Sequence, residues 1–275
     1  MRVPSIVMIV TATLPLVAQV VRAQDLSRSG AAEATSSKSE HVPPDPPATE
    51  IPPMSPREMT QMMAMNDAAA IGMLLVDQFE WRQGDGANGP AWNAQGWYGT
   101  DYDKLWFKTE GQSLGGVTDG RAELLWDQIF SRWWSWQVGL RNDFGNGPSR
   151  NWLAIGVEGL APYFFNIEVT AYVGDAGRTA ARLEVEYELL FTQRLILQPE
   201  FEVNVYGQDD PERQIGAGFS NLQLGLRLRY EVRREFAPYI GIAWERSLGK
   251  TADLVRASGE DPSLFQLVAG IRFWF

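Results

Sequence analysis

The feature that most constrains the fold is an alternation of apolar and polar side chains that recurs from residue 72 to the end of the chain. In the last thirteen residues, Ser263 to Phe275, every second side chain from Phe265 onward is apolar, whereas the residues between them include Gln266 and Arg272. Successive side chains of a β-strand point to opposite faces, so one face of this strand is apolar and the other accepts charge. The pattern is typical of a transmembrane barrel strand, with one face in lipid and the other in the lumen. Taken alone, one such strand would equally suit a β-sandwich.

Twelve segments of the chain carry this alternation, and turn-rich connectors divide them. In the segment 179–191, for instance, Glu184, Glu186 and Glu188 alternate with valine, tyrosine and leucine. The predicted strands are 73–82, 90–98, 103–112, 119–128, 133–143, 151–159, 162–173, 179–191, 194–205, 221–232, 237–246 and 263–275.

Connector lengths provide an independent test, because outer-membrane barrels have short turns on the periplasmic side and longer loops outside. The connectors 247–262 and 206–220 are long, whereas 233–236, which lies between them, is short. Nearer the amino terminus, we expect 113–118 to be longer than 99–102. A sandwich has no reason to follow this rule. The sequence therefore predicts an all-β fold, an antiparallel up-and-down transmembrane β-barrel of about twelve strands with both termini in the periplasm.

The residues before the barrel form two segments of different composition. Residues 1–23 combine Arg2, an apolar run and a small-x-small end, which predicts a secretory signal peptide cleaved before Gln24. An uncleaved membrane helix fits less well, because polar residues interrupt a run shorter than the roughly 20 apolar residues of a span. Residues 24–71 are rich in serine and proline and poor in branched and aromatic side chains, so we predict a disordered periplasmic tail. The barrel is predicted to cover 72–275.

Cysteine content and net charge exclude several classes of function. The chain has no cysteine, so disulfides, thiolate metal sites and lipoprotein-type lipidation are excluded. Residues 1–23 contain two arginines and no acidic residue, so their removal takes the formal net charge from −10 to −12. Such a chain is a poor partner for nucleic acid and attracts cations. A negative surface that serves only solubility explains the same charge.

Methionine is concentrated in a short part of the predicted tail. The clustered residues are Met54, Met59, Met62, Met63 and Met65. Thioether sulfur is a soft ligand that favours Cu(I), so several of these side chains could bind one copper ion. An amphipathic helix that uses the same methionines for packing is the alternative. His41, the only histidine of the chain, lies in the same tail and could add a nitrogen ligand.

The predicted inward faces of the strands carry most of the charge of the barrel. Glutamates and arginines are interleaved there, and most are expected to pair, because desolvated charges need partners. Two rows of carboxylates are nevertheless candidates for a cation site or path, and they suit Cu(II) and other hard ions better than Cu(I). These are Glu184, Glu186, Glu188, Glu200 and Glu202. Twelve strands lie between the eight that side chains fill and the sixteen or so of open porins, so we expect a narrow lumen.

Several long stretches resemble the copper resistance protein B (CopB/PcoB) family of outer-membrane proteins. They include QGWYGTDYDKLWFKTEG at 95–111, DFGNGPSR at 143–150, GLAPYFFNIEVTAYVGDAGRTAARLEVEYELLFTQRLILQPE at 159–200 and VAGIRFWF at 268–275. The resemblance, which covers essentially all of 72–275, implies a copper-associated barrel that works with a periplasmic multicopper oxidase. Family members often carry tails rich in methionine and histidine repeats. This chain has one short methionine cluster and one histidine, so we expect it to bind few ions.

The sequence also argues against an enzyme. A barrel hydrolase that uses serine and histidine needs a base beside its nucleophile, and the predicted barrel contains no histidine. No two of the carboxylates stand out as the pair that a glycosidase needs. We therefore predict an outer-membrane copper resistance protein whose tail binds copper ions and whose acidic lumen holds or passes them. A copper-indifferent pore or structural barrel is the alternative. Expected partners are copper ions, outer-membrane lipid and the oxidase, and the ligands alone give no direction of transport.

Overall fold

A computed structural model describes residues 70–84 and 88–275. The predicted signal peptide (1–23) and nearly all of the predicted tail lie outside the described residues. The same holds for the predicted tail ligands Met54, Met59, Met62, Met63, Met65 and His41. Among the described residues, no helix has the length and the apolar content needed to cross a membrane.

The described part of the chain consists almost entirely of β-strands. Their bounds are β1 (Ile71–Gly84), β2 (Asn88–Gly99), β3 (Asp103–Leu114), β4 (Val117–Ser131), β5 (Trp134–Gly145), β6 (Arg150–Ala161), β7 (Phe165–Gly174), β8 (Thr179–Glu186), β9 (Leu189–Leu190), β10 (Leu195–Tyr206), β11 (Gly218–Tyr230), β12 (Phe236–Ser247) and β13 (Ser263–Trp274). One α-helix, α1 (Gly249–Ala257), and three short 3-10 helices at Pro162–Phe164, Asp175–Gly177 and Pro211–Arg213 lie in the connectors.

The strands form one closed antiparallel barrel. Each strand pairs with its neighbour in sequence, β13 returns to pair with β1, and β10 pairs with β11. β8 and β9 both pair with β10 and form one interrupted strand, so the ring contains twelve strands. The predicted twelve-stranded up-and-down barrel is confirmed. A closed ring leaves no strand edge unpaired, which is what a sheet needs inside a bilayer.

Polar side chains point inward and apolar side chains point outward. On β10, Gln198, Glu200 and Glu202 are buried in the lumen. Large apolar side chains on the outer surface, such as Leu140 on β5 and Ile240 on β12, are 63% and 65% exposed. In water this arrangement would be unfavourable, but lipid covers the outer face of a membrane barrel. The alternation in the sequence therefore reports which side of each strand faces lipid.

The predicted strand 179–191 is interrupted after Glu186, and the cause lies on the neighbouring strand. The register places Pro199 opposite Tyr187, whose N–H donates to the Pro199 carbonyl at 3.1 Å. Proline has no N–H to return a bond, so one rung of the ladder is missing there. The predicted strand 162–173 begins three residues later than expected, because Pro162–Phe164 forms a 3-10 turn.

The connectors follow the predicted alternation with two corrections, the first of which is that 175–178 and 191–194 are equally long, with four residues each. The two longest described connectors are 207–217 and 248–262, as expected, and they lie at the same end of the barrel. The connector predicted at 113–118 is instead only Gly115 and Gly116, which is shorter than 100–102. Both glycines have positive φ, 58° and 86°, and a two-residue hairpin turn that matches the twist of the strands requires such values. We call the end of the barrel that holds connectors 207–217 and 248–262 the loop end. The end that holds residues 70 and 275 is the terminal end.

Candidate ion-binding lumen

Four glutamates form a continuous row across four adjacent strands. Glu158 on β6 lies opposite Glu168 on β7, Glu168 lies opposite Glu184 on β8, and Glu184 lies opposite Glu202 on β10. Residues directly opposite each other in a sheet have Cβ atoms about 5 Å apart, and like charges in that position repel. The row therefore needs cations close by to remain ionised.

Two cationic side chains supply most of this compensation. Lys108 reaches across the lumen from β3, and its Nζ lies 2.9 Å from Glu158 and 2.8 Å from Glu168. Arg182 lies beside the other half of the row, with Nη2 at 2.6 Å from Glu184 and 2.8 Å from Glu202. Both cations are largely buried, which strengthens these ion pairs relative to pairs in water.

A second group of charges is buried and paired around Arg227. Arg227 on β11 is 2% exposed and donates to Glu80 at 3.0 Å, to Gln78 at 2.9 Å and to Glu200 at 2.5 Å. The hydroxyl of Tyr239 also donates to Glu80, at 2.9 Å. We call Gln78, Glu80, Glu200, Arg227 and Tyr239 the Arg227 cluster. Arg82, outside the cluster, also pairs with Glu80 at 2.8 Å. Each carboxylate of the cluster therefore has a cationic partner, as buried charges require.

Two cavities lie in the lumen. The larger cavity, which we call the terminal chamber, has a volume of about 760 Å³, and Leu160, Phe164 and Leu190 place it toward the terminal end. The smaller cavity, the loop-side chamber, has a volume of about 140 Å³. The carboxylates that line the terminal chamber are Asp77, Glu110, Glu123, Glu158, Glu168, Glu184, Glu186 and Glu188. Its four cations are Lys108, Arg121, Arg182 and Arg272.

The structure distributes the five predicted luminal ligands over different surroundings. Glu184, Glu186 and Glu188 line the terminal chamber, Glu202 lines the loop-side chamber, and Glu200 belongs to the Arg227 cluster. Four of the five are in salt bridges with arginines. Glu186 is the exception, because it forms no ion pair within residues 70–84 and 88–275. In those residues, no three histidine, cysteine or acidic side chains are grouped so that they could hold a metal ion.

Sequence reasoning missed two luminal features. Lys108 is two residues from Glu110 on β3, so its side chain points to the same, inward face. Strand alternation alone could therefore have identified Lys108 as a luminal residue. An apolar cluster also lies inside the lumen, where Trp152, Tyr172 and Leu125 pack together. The indole Nε1 of Trp152 donates to Asp143 at 2.8 Å, so this tryptophan is anchored by a polar contact as well as by packing.

Connector 207–217 covers the lumen at the loop end. Arg150 donates to Asp210 at 2.8 and 3.1 Å, and this hydrogen bonding lowers the pKa of the Asp210 carboxyl below its usual value of 3.8. Arg213 lines the loop-side chamber and donates to Asp119 at 2.8 Å and to the Pro148 carbonyl at 3.0 Å. These bonds hold the connector over the small chamber.

Comparisons with known proteins agree with this architecture. The family model described as copper resistance protein B precursor (CopB) matches residues 70–275. Copper resistance protein B of Escherichia coli is 43% identical over 233 residues, which cover 84% of this chain and 79% of that protein. The copper resistance protein B homolog of Pseudomonas syringae pv. tomato (strain ATCC BAA-871 / DC3000) is 41% identical over 234 residues, covering 82% and 80%.

A solved barrel shares the fold at much lower identity. The NanC porin is 15% identical, has a TM-score of 0.51, and aligns over 73% of this chain and 98% of its own. That likeness concerns the fold alone. The family model covers the whole described barrel, including every strand and both luminal chambers. This chain belongs to the copper resistance protein B family and folds as an outer-membrane β-barrel.

Proposed function

We propose that this protein contributes to copper resistance by binding copper ions at the periplasmic face of the outer membrane. The observation that carries the proposal is the unequal charge of the terminal chamber, in which eight carboxylates face four cations, in a member of a copper resistance family. A partly enclosed site with excess negative charge raises the local concentration of cations. The terminal end is proposed to face the periplasm, since the long connectors lie at the other end.

The methionine cluster is proposed as the first copper ligand set. Met65 precedes Ala70, the first described residue, by only five residues, and five residues of chain span at most about 18 Å. Thioether groups favour Cu(I), and His41 could add a nitrogen ligand. Copper bound by the cluster would therefore be held close to the terminal chamber.

The five predicted luminal carboxylates are proposed as a second, harder set of candidate ligands. Glu184, Glu188, Glu200 and Glu202 are already neutralised by arginines, so an incoming ion would have to displace a guanidinium group from each of them. Glu186 requires no such displacement. We therefore propose that Glu186 receives the cation first and that the other four contribute little unless their ion pairs open.

The proposed role is binding rather than catalysis. Nucleophilic catalysis of the serine type requires a positioned base, and the chain contains a single histidine, His41. The proposed partners are copper ions, outer-membrane lipid around the apolar outer face, and a periplasmic multicopper oxidase of the same resistance system. Such an oxidase would exchange copper with this protein at the terminal end.

Cu(I) titration of the full chain in detergent, in competition with a Cu(I) chelator, tests the methionine site. Changing Met54, Met59, Met62, Met63 and Met65 to Leu removes the sulfur atoms and retains the bulk. We expect Cu(I) binding to weaken at least about tenfold, which corresponds to about 1.4 kcal/mol. Met73→Leu, in β1, is the matched control and should leave the affinity unchanged. Equal affinity of the five-residue variant and the wild type would exclude the methionine site and support a copper-indifferent barrel.

A further inference from the structure

We propose that four side chains close the lumen to ions between its two chambers. They are Glu110, Arg121, Arg182 and Glu202, and together we call them the partition. Glu110 and Arg121 line both chambers, Arg182 lines only the terminal chamber, and Glu202 lines only the loop-side chamber. The partition is therefore the wall between the two cavities.

The ion pairs of the partition cross the lumen rather than run along its wall. Arg182 on β8 lies 3.1 Å from Glu110 on β3, and Arg121 on β4 lies 3.6 Å from Glu202 on β10. In the ring of twelve strands, each of these two pairs of strands is five strands apart, which is nearly opposite. Two shorter links, Arg121 with Glu110 and Arg182 with Glu202, complete a four-membered network.

Burial makes this network a barrier to ions. The side chains of Arg182, Glu202 and Arg121 are 6%, 5% and 13% exposed, so solvent reaches these three poorly, whereas Glu110 is 30% exposed. An ion that passes between the chambers must separate at least one of these pairs, and a buried charge without its partner costs several kcal/mol. Salt screens buried pairs much less than exposed ones, so moderate ionic strength should not open the partition.

Further contacts hold the partition in place from the wall. Asn204 on β10 donates to Glu202 at 2.6 Å, and Arg182 is also 2.6 Å from Glu184 on its own strand. The partition side chains therefore have fixed neighbours on both sides of the lumen. As a consequence, the terminal chamber is closed at its inner end, and a cation that enters it from the terminal end is held there instead of passing through.

This inference concerns any small ion and does not rest on the copper chemistry. It is tested by the conductance of the full chain in planar lipid bilayers in potassium chloride. The double variant Arg121→Gln and Arg182→Gln opens the partition, Arg213→Gln loosens only connector 207–217, and the triple variant does both. Arg256→Gln, in an exposed ion pair of α1 and in neither chamber, is the control.

We expect the wild type, Arg213→Gln and Arg256→Gln to conduct equally little. The triple variant should conduct at least about tenfold more than Arg213→Gln, which corresponds to about 1.4 kcal/mol off the barrier. The proposal is overturned if the wild type already conducts as well as the triple variant. It is also overturned if Arg213→Gln alone opens the barrel to the same extent.

Folding of the variants is checked by heat-modifiable migration in gel electrophoresis, because removing only the arginines leaves Glu110, Glu184 and Glu202 without their cations. If the double variant does not fold, Glu110→Gln and Glu202→Gln are added, so that none of the four partition side chains remains charged. A folded four-residue variant that conducts no better than the wild type when Arg213→Gln is also present contradicts the proposal.

Discussion

Glutamate has opposite roles in the Arg227 cluster and in the terminal chamber. In the cluster, Glu200 is bound by Arg227, Glu80 is bound by Arg227 and Arg82, and neither glutamate lines the terminal chamber. In the chamber, Glu186 lies beside open space and forms no ion pair within the described part of the chain. A carboxylate that a guanidinium group holds stabilises the barrel, whereas one that faces a cavity is available to a ligand. Residue type and inward direction are the same in both places, so the surroundings decide the role.

The largest effect is expected in the Arg227 cluster. Arg227→Gln leaves Glu200 buried without a cation and Glu80 with Arg82 alone. The loss of one partner from a buried pair costs about 3–5 kcal/mol. Urea unfolding of the barrel in lipid vesicles measures this loss. Arg256→Gln in α1 is the control, because its pair with Asp253 is exposed and such pairs contribute at most about 0.5 kcal/mol. Equal stabilities of the two variants would remove the distinction between packed and available charges.

A smaller loss is expected in the apolar cluster of the lumen. Trp152→Phe retains an aromatic ring but leaves Asp143 without the indole donor, which costs about 1–3 kcal/mol for a buried group. Trp136→Phe, on the outer surface of β5, is the matched control and should change the unfolding free energy by less than about 0.5 kcal/mol. The same urea titration compares them. A larger loss for Trp136→Phe would show that lipid contact matters more than luminal packing.

Glu186→Gln should weaken cation binding without destabilising the barrel. One unit charge at 4 Å contributes about 1 kcal/mol in water, so we expect about fivefold weaker Cu(II) binding in calorimetric titrations. Glu260→Gln, on the exposed loop 248–262, controls for net charge and should leave binding unchanged. Glu200→Gln should show the reverse pattern, with lower stability and little change in binding. If Glu186→Gln lowers the unfolding free energy as much as Glu200→Gln does, Glu186 is structural.

The smallest effect is expected at connector 207–217, where low pH should weaken the bond between Asp210 and Arg150. Because the pKa of Asp210 is lowered in the folded state, its bond to Arg150 contributes fully above the ordinary pKa of about 3.8 and is lost as pH falls through the lower folded value. We expect lower hydrogen-exchange protection factors of the connector amides below about pH 4. Asp210→Asn should remove most of this pH dependence. Unchanged exchange protection of the wild type at pH 3 would contradict this role for the ion pair.

Much of the fold was predictable because alternation is a local property of each strand. The glutamates of β8 and β10 point inward, as the alternation of apolar and polar residues predicts. The number of strands in the ring follows from the twelve alternating segments. The exceptions have local causes that compete with the pattern, as at Pro199 and at the Gly115–Gly116 turn. The candidate site was predictable only as a set of inward carboxylates.

The sequence by itself determined which side of each strand meets lipid and that the lumen would be acidic. The reason is that the direction of a side chain follows from its place in the alternation, and its charge follows from the residue type. Only the tertiary structure decided which charges meet. Strand register aligns Glu158, Glu168, Glu184 and Glu202, and closure of the ring brings Arg182 to Glu110. Register and closure depend on the stagger of all twelve strands together. Alternation within one strand carries no information about that stagger, so the distinction between Glu186 and the paired glutamates arises only in the folded barrel.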